Sequence, residues 1–590
     1  MVRLTINNKE FEVPEDITIL EAAKMNGILI PNFCYLEDVH KNGSCRICSV
    51  EVEGAKTLQA ACMTKVTDGM VIHTNTKKVR QARKIIYELM LSDHPKDCLS
   101  CDRNRNCEFQ ELGELLGITD NSYEGKMSRC YIDDNNPCIV RDLSKCVLCR
   151  RCVTICNEVQ GVGILNNQNR GFSTFVGPTE GLNLDDINCS YCGQCTTVCP
   201  VDALSERDSI KDVWKMLNEE GKRVIVQTAP AVRAALGEEF GYEPGTLVTG
   251  KMASALRELG FDDIFDTNFA ADLTIIEEGN ELLQRLGKFV NREEVALPMI
   301  TSCSPGWIKY IENRFPEQLA HLSSCKSPHM MLGALAKSYY AEKINVDPED
   351  IYVVSIMPCT AKKYEITRKE MERDVDAVLT TRECAKMIKS AGIDFVNIPD
   401  GKFDSPFGIS TGAADIFGTT GGVMEAAIRT VFEILTGKEL PFDNLHVKEV
   451  MGLKSIKEGE LYIEKATKEY KAFEGQTVKI AAASGLTAAR ILLQQIKDGV
   501  SPYHFIEIMA CPGGCLSGGG QPRPTTKDVR EKRMEAIYRE DEGKDLRKSH
   551  ENPFIVKLYE DFLGEPLGHK SHELLHTHYV KRGLYNELVK

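Results

Sequence analysis

Two cysteine runs with the same spacing constrain this chain more than any other feature of its sequence. Each run reads C-x2-C-x2-C-x3-C; the first starts at Cys146 and the second ends in Cys199-Pro200. This spacing is typical of a pair of [4Fe–4S] clusters, in which the fourth cysteine of each run binds the cluster of the other. A zinc ribbon needs only two C-x2-C pairs and leaves the other thiols unexplained. The runs therefore predict two neighbouring clusters that conduct electrons, one on Cys146, Cys149, Cys152 and Cys199 and the other on Cys189, Cys192, Cys195 and Cys156.

The composition restricts the classes of function. The 590 residues are enough for several domains, and the net charge of −14 argues against a nucleic-acid partner. No run of about 18 apolar residues is present, so no transmembrane segment is expected. The opening residues alternate in polarity like a strand and do not resemble a secretion signal. The 23 cysteines are spaced for metals rather than disulfides, which favours a reducing compartment and makes the cytoplasm the expected location.

The first 78 residues read as a small β-rich domain with four cysteines. Alternating apolar residues flank Asn7-Asn8, which predicts a hairpin, and Thr18 with Glu21 forms a capping box at the start of a short helix. The cysteines follow with C-x10-C-x2-C-x13-C spacing, which differs from the plant-type ferredoxin pattern. Four thiols after a β-grasp-like start favour an iron–sulfur cluster over structural zinc. The expected ligands are Cys34, Cys45, Cys48 and Cys62.

This spacing resembles the [2Fe–2S] domain of iron hydrogenases and of the large iron–sulfur subunit of respiratory complex I. A basic amphipathic helix is predicted next, over Lys77–Ser92, and leads to a histidine followed by three cysteines. That arrangement is similar to the His/Cys3 [4Fe–4S] site of the same two families. A neutral imidazole in place of a thiolate should raise the potential of this cluster relative to an all-cysteine one. The expected ligands are His94, Cys98, Cys101 and Cys107.

From about residue 210 the sequence alternates between short apolar strands and helical patterns, which indicates an α/β domain. Three strands run directly into cysteine-bearing loops, over residues 298–303, 356–359 and 508–515. Open α/β sheets hold their functional sites at the carboxyl ends of their strands. We therefore expect a site at these loops.

The three loops resemble the three signature motifs of [FeFe]-hydrogenases. They read TSCSPGW from Thr301, MPCTAKKYE from Met357 and EIMACPGGCLSG from Glu507. Together with the N-terminal cluster motifs, the resemblance covers nearly the whole chain. It implies the reaction 2H⁺ + 2e⁻ ⇌ H2 at an H-cluster, a [4Fe–4S] cube joined through a thiolate to a diiron unit with CO, cyanide and azadithiolate ligands. By this resemblance Cys515 is the bridging thiolate, and Cys359 and Cys511 are further ligands of the cube.

The resemblance also implies roles for residues around the cofactor. Lys362 matches a residue that hydrogen-bonds a cyanide, and the matched contacts of the cofactor are Met357, Met509, Pro230 and Ser304. A proton channel ending at Cys303 is implied by Glu278, Glu281, Arg285 and Ser323. From spacing alone, the two glutamates would be read as a solvated helix face. The motif context favours the channel, in which partial burial gives a glutamate a suitable proton affinity.

One residue departs from the family's pattern. The usual first motif is TSCCP, whose first cysteine relays protons and whose second binds the cube, but position 304 is serine. A serine hydroxyl is a poor iron ligand, whereas thiolates suit these clusters. Either Ser304 still ligates, or Cys303 becomes the ligand, or Cys325 enters the site. Ligand chemistry favours Cys303, whereas the unbroken register of the motif argues against it.

The expected fold class is multidomain α+β and α/β. The predicted domains are a β-grasp [2Fe–2S] domain over 1–78, a small helical His/Cys3 cluster domain over 79–125, a bacterial-ferredoxin-like 2[4Fe–4S] domain over 126–209, a large α/β H-cluster domain over 210–524 and a C-terminal subdomain over 525–590 that wraps the catalytic core. In the last of these, helices are predicted over 554–563 and 573–580, and His572, His576 and His578 are expected to be surface residues.

The predicted function is a hydrogenase subunit with one [2Fe–2S] cluster, three accessory [4Fe–4S] clusters and an H-cluster. No dinucleotide fingerprint is visible in the chain itself, so flavin- and NAD(P)-binding diaphorase-type subunits are expected partners. Ferredoxin and the family's maturation enzymes are expected partners as well. Electron splitting between NADH and ferredoxin is one form of this hypothesis. The alternatives are a stand-alone ferredoxin hydrogenase, a hydrogen sensor, or a complex I-like electron-transfer subunit without hydrogen chemistry.

Overall fold

The computed structural model describes residues 1–37, 39–371, 373–440, 448–450 and 453–583. The chain divides into two compact units. The first contains Met1–Ile187 and Val198–Ser205, and the second contains Asn188–Thr197 and Glu206–Lys590. The second cysteine run is thus divided, since its first three cysteines belong to the second unit and Cys199 to the first. Residues 584–590 of the predicted C-terminal subdomain lie outside the described residues.

The first unit begins with the expected β-grasp-like sheet. Its first two strands pair antiparallel around Asn7 and Asn8, whose positive φ angles of 50° and 66° form the tight hairpin turn. The Thr18–Glu21 capping box is present, and the helix that it starts packs its apolar face on the sheet. The predicted hairpin and capping box are both confirmed. In sheet order the strands are Lys9–Val13, Val2–Ile6, Met70–His73, Ser49–Val52 and Gln59–Ala60, and the helix is Ile19–Met25.

The rest of the first unit is built from short elements around the cysteine runs. The predicted helix Lys77–Ser92 is present, and Thr76 caps it. The remaining helices are Glu108–Leu115 and Arg151–Thr154, and the remaining strands are Ile132–Asp133, Ile139–Asp142, Asn166–Gln168, Phe175–Gly177 and Leu204–Glu206.

The second unit contains two sheets, which confirms the α/β prediction. One is a four-stranded parallel sheet with the order Asp263–Asp266, Arg223–Thr228, Ile351–Met357 and Ala377–Thr380. The other has five strands in the order Met299–Ile300, Phe505–Met509, Thr477–Ser484, Leu453–Tyr462 and Lys448–Val450, of which the first three are parallel.

Helices cover the sheets of the second unit, and two buried apolar clusters lie between these layers. The longest helix, Asn268–Val290, contributes to both clusters and carries the predicted proton-channel glutamates. The other helices of eight or more residues are Ile210–Leu217, Thr249–Glu258, Pro305–Arg314, Pro328–Leu335, Thr381–Ser390, Gly422–Thr436, Leu486–Lys497 and Lys527–Glu542. No helix in the described parts of the chain is sufficiently long and apolar to traverse a membrane.

The C-terminal segment differs from its predicted structure. The α-helix Pro553–Leu558 continues as a π-helical turn to Leu563, but the last helix is His569–Leu575 rather than 573–580. After Leu575 the chain is extended, because its backbone pairs with another strand-like segment. Lys326 N–H donates to the Leu575 carbonyl at 2.8 Å, and Thr577 N–H donates to the Ser324 carbonyl at 2.8 Å. This long-range pairing overrides the local helical pattern.

Candidate active site

A cavity of about 740 Å³, a volume that includes its opening to solvent, lies at the carboxyl ends of strands from both sheets of the second unit. Each strand ends at a residue whose successors line this cavity, as expected for open α/β sheets. All three cysteine-bearing loops contribute, which confirms that they meet. In chain order, Pro230 follows Arg223–Thr228, Thr267 follows Asp263–Asp266, Cys303 follows Met299–Ile300, Cys359 follows Ile351–Met357, and Cys511 follows Phe505–Met509.

Three of the lining thiols are electrostatic neighbours. Cys359 and Cys515 both lie close enough to Cys511 to raise its pKa, although burial is the larger cause. Burial also raises the pKa of Cys515 to about 12, with a further contribution from Cys359. Buried thiols of this kind become thiolates only beside a cationic centre, and a coordinated metal supplies that charge. The donor set therefore fits the cube of an H-cluster.

The fourth lining cysteine has different neighbours. Burial raises the pKa of Cys303 well above its usual range, and the nearby Glu278 carboxyl raises it further. The Lys362 ammonium donates to the Cys303 carbonyl at 3.2 Å. Cys515 also raises the pKa of Cys303, but its effect is smaller than those of Glu278 and Lys362.

Lys362 is held at the cavity wall by a buried charged network. Its Nζ donates to Glu365 Oε2 at 2.7 Å, and His329 Nε2 lies 2.7 Å from the same oxygen. Burial would raise the pKa of Glu365, but Lys362 and His329 outweigh burial and lower it to about 2. Burial, followed by the Lys362 charge, lowers the pKa of His329 to about 4. The Lys362 ammonium therefore has a fixed position next to Cys359 and Cys303.

Ser304 and Cys325 occupy different places. Ser304 lines the cavity, and its Oγ accepts a hydrogen bond from Ala510 N–H at 3.3 Å, directly before Cys511. Cys325 is buried in the core and lies within 4.8 Å of Glu281 and His576, measured between their metal-ligand-type atoms. Cys325 is not among the residues that line the cavity. These positions favour Ser304 over Cys325 as a neighbour of the cofactor.

The predicted apolar contacts all line the cavity. Met357 and Met509 end the two central strands that lead into it, and Pro230 starts the short helix Pro230–Arg233 on another wall. Phe417 and Pro328 complete this apolar surface, although sequence reasoning did not identify them.

The predicted channel residues form a continuous chain of contacts. Arg285 Nη2 donates to Glu281 Oε1 at 2.6 Å, and the Ser323 hydroxyl lies 3.3 Å from Glu281 Oε2. The Ser323 hydroxyl also lies close enough to the Glu278 carboxyl to lower its pKa, and Glu278 in turn raises the pKa of Cys303. Burial raises the pKa of Glu278 to about 8. The Ser323 hydroxyl opposes this rise, whereas the negative charges of Glu281 and Glu507 add to it.

The glycines after Cys515 allow backbone segments to approach one another. A Cβ at Gly518 would lie 2.1 Å from the Pro358 carbonyl oxygen, and one at Gly519 would lie 2.8 Å from Gly193 Cα. Any side chain at either position would therefore displace the neighbouring loop. The segment 188–197 is held against this region by Thr360 Oγ1, which donates to the Tyr191 carbonyl at 2.9 Å. Cys192 is consequently an electrostatic neighbour of Cys511.

Comparisons with known proteins agree with this geometry. Residues 222–519 match the C-terminal domain of the iron only hydrogenase large subunit, and residues 527–582 match the iron hydrogenase small subunit. The chain is 51% identical to the NADP-reducing hydrogenase subunit HndD of Solidesulfovibrio fructosivorans over 99% of both chains. This chain belongs to the [FeFe]-hydrogenases. It is therefore an enzyme of hydrogen metabolism, and the alternative of a complex I-like subunit without hydrogen chemistry is not favoured.

Two further relatives support this assignment. Iron hydrogenase 1 of Clostridium pasteurianum is 41% identical over 98% of this chain and 100% of its own length. The solved apo [FeFe]-hydrogenase HydA1 from Chlamydomonas reinhardtii is 44% identical, with a TM-score of 0.58, and covers 64% of this chain and 99% of its own.

The N-terminal part of this [FeFe]-hydrogenase matches three iron–sulfur families. Residues 1–77 match a 2Fe-2S iron-sulfur cluster binding domain, residues 83–122 match the iron-sulfur binding region of NADH-ubiquinone oxidoreductase-G, and residues 145–203 match a 4Fe-4S dicluster domain. The chain therefore carries iron–sulfur cofactors as well as a catalytic H-cluster domain.

The thiols of the first unit are grouped as the spacings predict. Cys48 and Cys62 have their sulfurs 3.3 Å apart, and Cys34 and Cys45 exchange N–H···S contacts of 3.4 and 3.5 Å. A second cavity is lined by the four cysteines predicted to share one cube, Cys146, Cys149, Cys152 and Cys199. None of the 23 cysteines, all of which lie in the described part of the chain, forms a disulfide.

The environment of the His94 ring fits its predicted role as a metal ligand. Its Nδ1 is buried and has no hydrogen-bond partner among the described residues, and burial is the main cause that lowers its pKa to about 4. Cys107 is an electrostatic neighbour of both Cys98 and Cys101. A neutral, unpartnered ring nitrogen is what a metal ligand requires.

If His94 is a ligand as predicted, replacing it by alanine is expected to remove one [4Fe–4S] cluster, about four iron atoms per chain. Iron analysis of the reconstituted protein measures this loss. The matched control is His73→Ala, since His73 lies in the same unit but pairs with Glu53 at 3.0 Å. The control should keep its full iron content. A His94→Ala protein with unchanged iron would show that the ring is not a ligand.

Sequence reasoning also missed two buried ionisable residues near the site, Glu507 and His576. The Glu507 carboxylate is fully buried and accepts Gly421 N–H at 2.6 Å and Met424 N–H at 2.7 Å, which fixes the start of helix Gly422–Thr436. Its position in an otherwise apolar strand was the available signal. His576 is buried, which makes its predicted surface position wrong, whereas His572 and His578 are exposed as predicted.

Proposed function

We propose that this [FeFe]-hydrogenase chain is the hydrogen-producing and hydrogen-oxidising subunit of an NAD(P)-linked complex, which also uses ferredoxin. The observation that carries the proposal is the convergence of three thiols and a buried proton-transfer chain on one cavity, in a chain that also has cysteine groups for electron transfer. The reaction is 2H⁺ + 2e⁻ ⇌ H2, with protons and electrons supplied by separate paths.

We assign the cube of the H-cluster to Cys359, Cys511 and Cys515, with Ser304 at the fourth position. When bound, the cluster would supply redox-active iron for the reaction. The protein residues position and desolvate this centre. Lys362 presents a fixed ammonium toward it, and Met357, Met509 and Pro230 exclude water from the wall of the cavity.

We assign Cys303 to the end of the proton path rather than to the cube. Its principal charged neighbours are Glu278 and Lys362, whereas the leading charged neighbour of both Cys511 and Cys515 is Cys359. The raised pKa of Cys303 keeps its sulfur protonated, as a relay requires. Burial raises the pKa of Cys511 in the same way, so the charged neighbours rather than the pKa distinguish the two roles. This assignment departs from the preference for Cys303 that ligand chemistry suggested.

Protons are proposed to pass from Arg285 and Glu281 through Ser323 and Glu278 to Cys303. Arg285 is the half-buried outer member, and Glu278 and Ser323 are fully buried. Because Glu278 has a pKa of about 8, its carboxyl holds a proton near neutral pH and can donate it to Cys303. A hydroxyl between two carboxyls can accept from one and donate to the other, so Ser323 links the two glutamates.

The accessory clusters are proposed to be one [2Fe–2S] and three [4Fe–4S], on the ligands predicted above. With a six-iron H-cluster, the matured chain would hold about 20 iron atoms. The diiron part would be added by maturation enzymes. So many free thiols favour a reducing compartment, in keeping with a cytoplasmic location.

The proposed partners are flavin- and NAD(P)-binding subunits. Support comes from the full-length similarity to a subunit named as NADP-reducing and from the residues 83–122, which match a region of NADH-ubiquinone oxidoreductase. The [2Fe–2S] domain is the proposed receiving point for electrons. Splitting electrons between NADH and ferredoxin remains one form of this proposal.

A cysteine substitution in the [2Fe–2S] domain tests whether electrons from the partner subunits enter the chain there. Arg151 donates to the Phe33 and Cys34 carbonyls, so deleting the whole domain would also disturb the rest of the first unit. Cys48→Ser removes a ligand without that damage. Assayed with the partner subunits, NADH-linked hydrogen turnover should fall by at least about tenfold, while turnover with reduced methyl viologen should persist.

The control for this test is Cys138→Ser, which changes a fully buried thiol of the same unit that is outside every cluster spacing. It should leave both activities near the wild-type values. Full NADH coupling in Cys48→Ser would contradict the proposed receiving point. A purified chain without partners that has high ferredoxin-linked activity would instead indicate a stand-alone ferredoxin hydrogenase.

A further inference from the structure

Arg151 is a buried cation of the first unit, and its neighbours come from three predicted cluster sites. It lies between Cys149 and Cys152 of the first cysteine run, at the start of the short helix Arg151–Thr154, and is only 4% exposed. A buried arginine requires partners, because the removal of its charge from water is costly. The partners of this guanidinium therefore indicate its role.

The first partners belong to the loop that carries Cys34, a predicted [2Fe–2S] ligand. Arg151 Nε donates to the Cys34 carbonyl at 3.4 Å, and Nη2 donates to the Tyr35 carbonyl at 3.3 Å. Nη2 also donates to the Phe33 carbonyl, and the guanidinium lies over the Phe33 ring, 5.9 Å from its centroid. One side chain thus holds three consecutive residues of this loop.

The second partner follows Cys107, a predicted ligand of the His/Cys3 site. The Glu108 carboxylate accepts hydrogen bonds from Nη1 and Nη2 of Arg151 at 2.8 Å each, which is a bidentate pair of fixed geometry. The next residue, Phe109, places its ring centroid 5.2 Å from that of His94, another predicted ligand of this site. The His/Cys3 segment is therefore joined to Arg151 as well.

The guanidinium also acts on two thiols of a predicted cube. Burial raises the pKa of Cys149, and the Arg151 charge is the leading influence in the opposite direction. Cys199 is a charged neighbour of Arg151 too. A positive charge beside cluster ligands stabilises the reduced, more negative state and so raises the reduction potential. We call this cluster the first cube, defined by its predicted ligands Cys146, Cys149, Cys152 and Cys199.

We propose that Arg151 is a positioning residue that raises the reduction potential of the first cube and holds the [2Fe–2S] and His/Cys3 segments beside it. The inference rests on the accessory clusters of the proposed function. Arg151 favours the transfer of one electron from either neighbouring cluster to the first cube, with oxidation of the donor and reduction of the cube. Glu108 limits this effect, because its carboxylate pairs with the guanidinium.

Redox titration of the matured holoenzyme, followed by low-temperature electron paramagnetic resonance, tests the proposal. The signal of the first cube is the one that disappears in Cys149→Ser. Arg151→Gln removes the charge and should lower the reduction equilibrium of this cube by about tenfold or more, which is about 59 mV for a one-electron couple. Arg151→Lys keeps the charge without the bidentate geometry and should recover most of the difference.

A second variant, Glu108→Gln, should shift the potential of the first cube in the opposite direction. The amide is similar in size but leaves the guanidinium without its counter-ion, so the reduction equilibrium should rise. We expect a rise of about threefold, because Glu108 is 43% exposed and solvent screens its charge. General loosening of the three segments has no reason to move the two variants in opposite directions.

The matched control is Arg83→Gln. Arg83 is another buried arginine of the first unit, and it donates to the Ile47 carbonyl at 3.0 Å and to the Ser49 carbonyl at 2.8 Å. Its charge acts on Cys48 of the predicted [2Fe–2S] site. The potential of the first cube should therefore stay at the wild-type value in this variant.

The possible results separate cleanly. Unchanged potentials in Arg151→Gln and Glu108→Gln, or shifts of both in one direction, would overturn the proposal, as would an Arg151→Lys potential equal to that of Arg151→Gln. If Arg151→Gln loses iron, the Glu108→Gln shift decides: a rise supports the proposal, and no rise overturns it. These potentials are measured without partner subunits, so full NADH coupling in Cys48→Ser would contradict the receiving point alone.

Discussion

Replacing Cys303 by alanine is expected to lower hydrogen evolution by about 100-fold or more, while the infrared bands of the CO and cyanide ligands remain. The variant removes the sulfur that passes protons from Glu278 into the cavity, but it leaves the three cube thiols in place. Hydrogen evolution with reduced methyl viologen measures the first effect, and infrared spectroscopy of the matured protein measures the second.

The control for Cys303→Ala is Cys384→Ala. Cys384 is a buried thiol in helix Thr381–Ser390 and packs in the apolar core, so its substitution leaves a similar void without touching the cavity. Its turnover should stay near the wild-type value. Loss of the infrared bands in Cys303→Ala would instead identify Cys303 as the fourth ligand of the cube. Retained bands with normal turnover would contradict both roles.

Replacing Glu278 by glutamine is expected to reduce turnover by a similar factor, about 100-fold or more, at every pH. The amide matches the carboxyl in size and can still accept the Ser323 hydrogen bond, but it cannot exchange a proton with Cys303. The matched control is Glu317→Gln, because Glu317 is half-exposed and pairs with Lys497 at the surface. A Glu278→Gln enzyme with normal turnover would require a different proton path.

The same variant has a measurable effect on stability. The pKa of Glu278 rises from 4.5 to about 8 on burial, so the folded protein holds this proton while the unfolded chain releases it. The contribution of the protonated carboxyl to stability is fully present below pH 4.5 and is lost as the pH rises toward 8. The thermal midpoint of Glu278→Gln should therefore depend less on pH in this window than that of the wild type. Identical pH profiles would contradict the raised pKa.

The sequence specified the catalytic cavity unusually well, because its key residues lie in short motifs at strand ends. Cys359 and Cys511 each follow a strand whose apolar pattern is evident, and parallel strands bring such positions to one edge. The channel residues were predicted from the family resemblance, whereas their helical spacing alone indicated a solvated helix face, and the structure brings them close together. The cysteines predicted to bind the accessory clusters could be recognised in the same way, because they also lie in short motifs.

Residues whose roles depend on long-range contacts were harder to predict. His576 lies 299 positions from Glu277 along the chain, and no local pattern indicates that the two will meet. The predicted helix over 573–580 failed for the same reason, since backbone pairing with residues 324–326 ends the helix at Leu575. Ser304 was recognised as unusual, but only its contact with Ala510 indicates what its hydroxyl does.

The two central loops of the cavity follow different sheets, and this has a consequence for assembly. Cys359 follows a strand of the four-stranded sheet, whereas Cys511 and Cys515 follow a strand of the five-stranded sheet. A metal centre bound by all three thiols would cross-link the two sheets, so metal loading and the packing of the second unit are thermodynamically coupled. Core substitutions between the sheets, far from any thiol, should therefore weaken cluster retention, and loss of the cluster should lower the thermal midpoint of the whole unit.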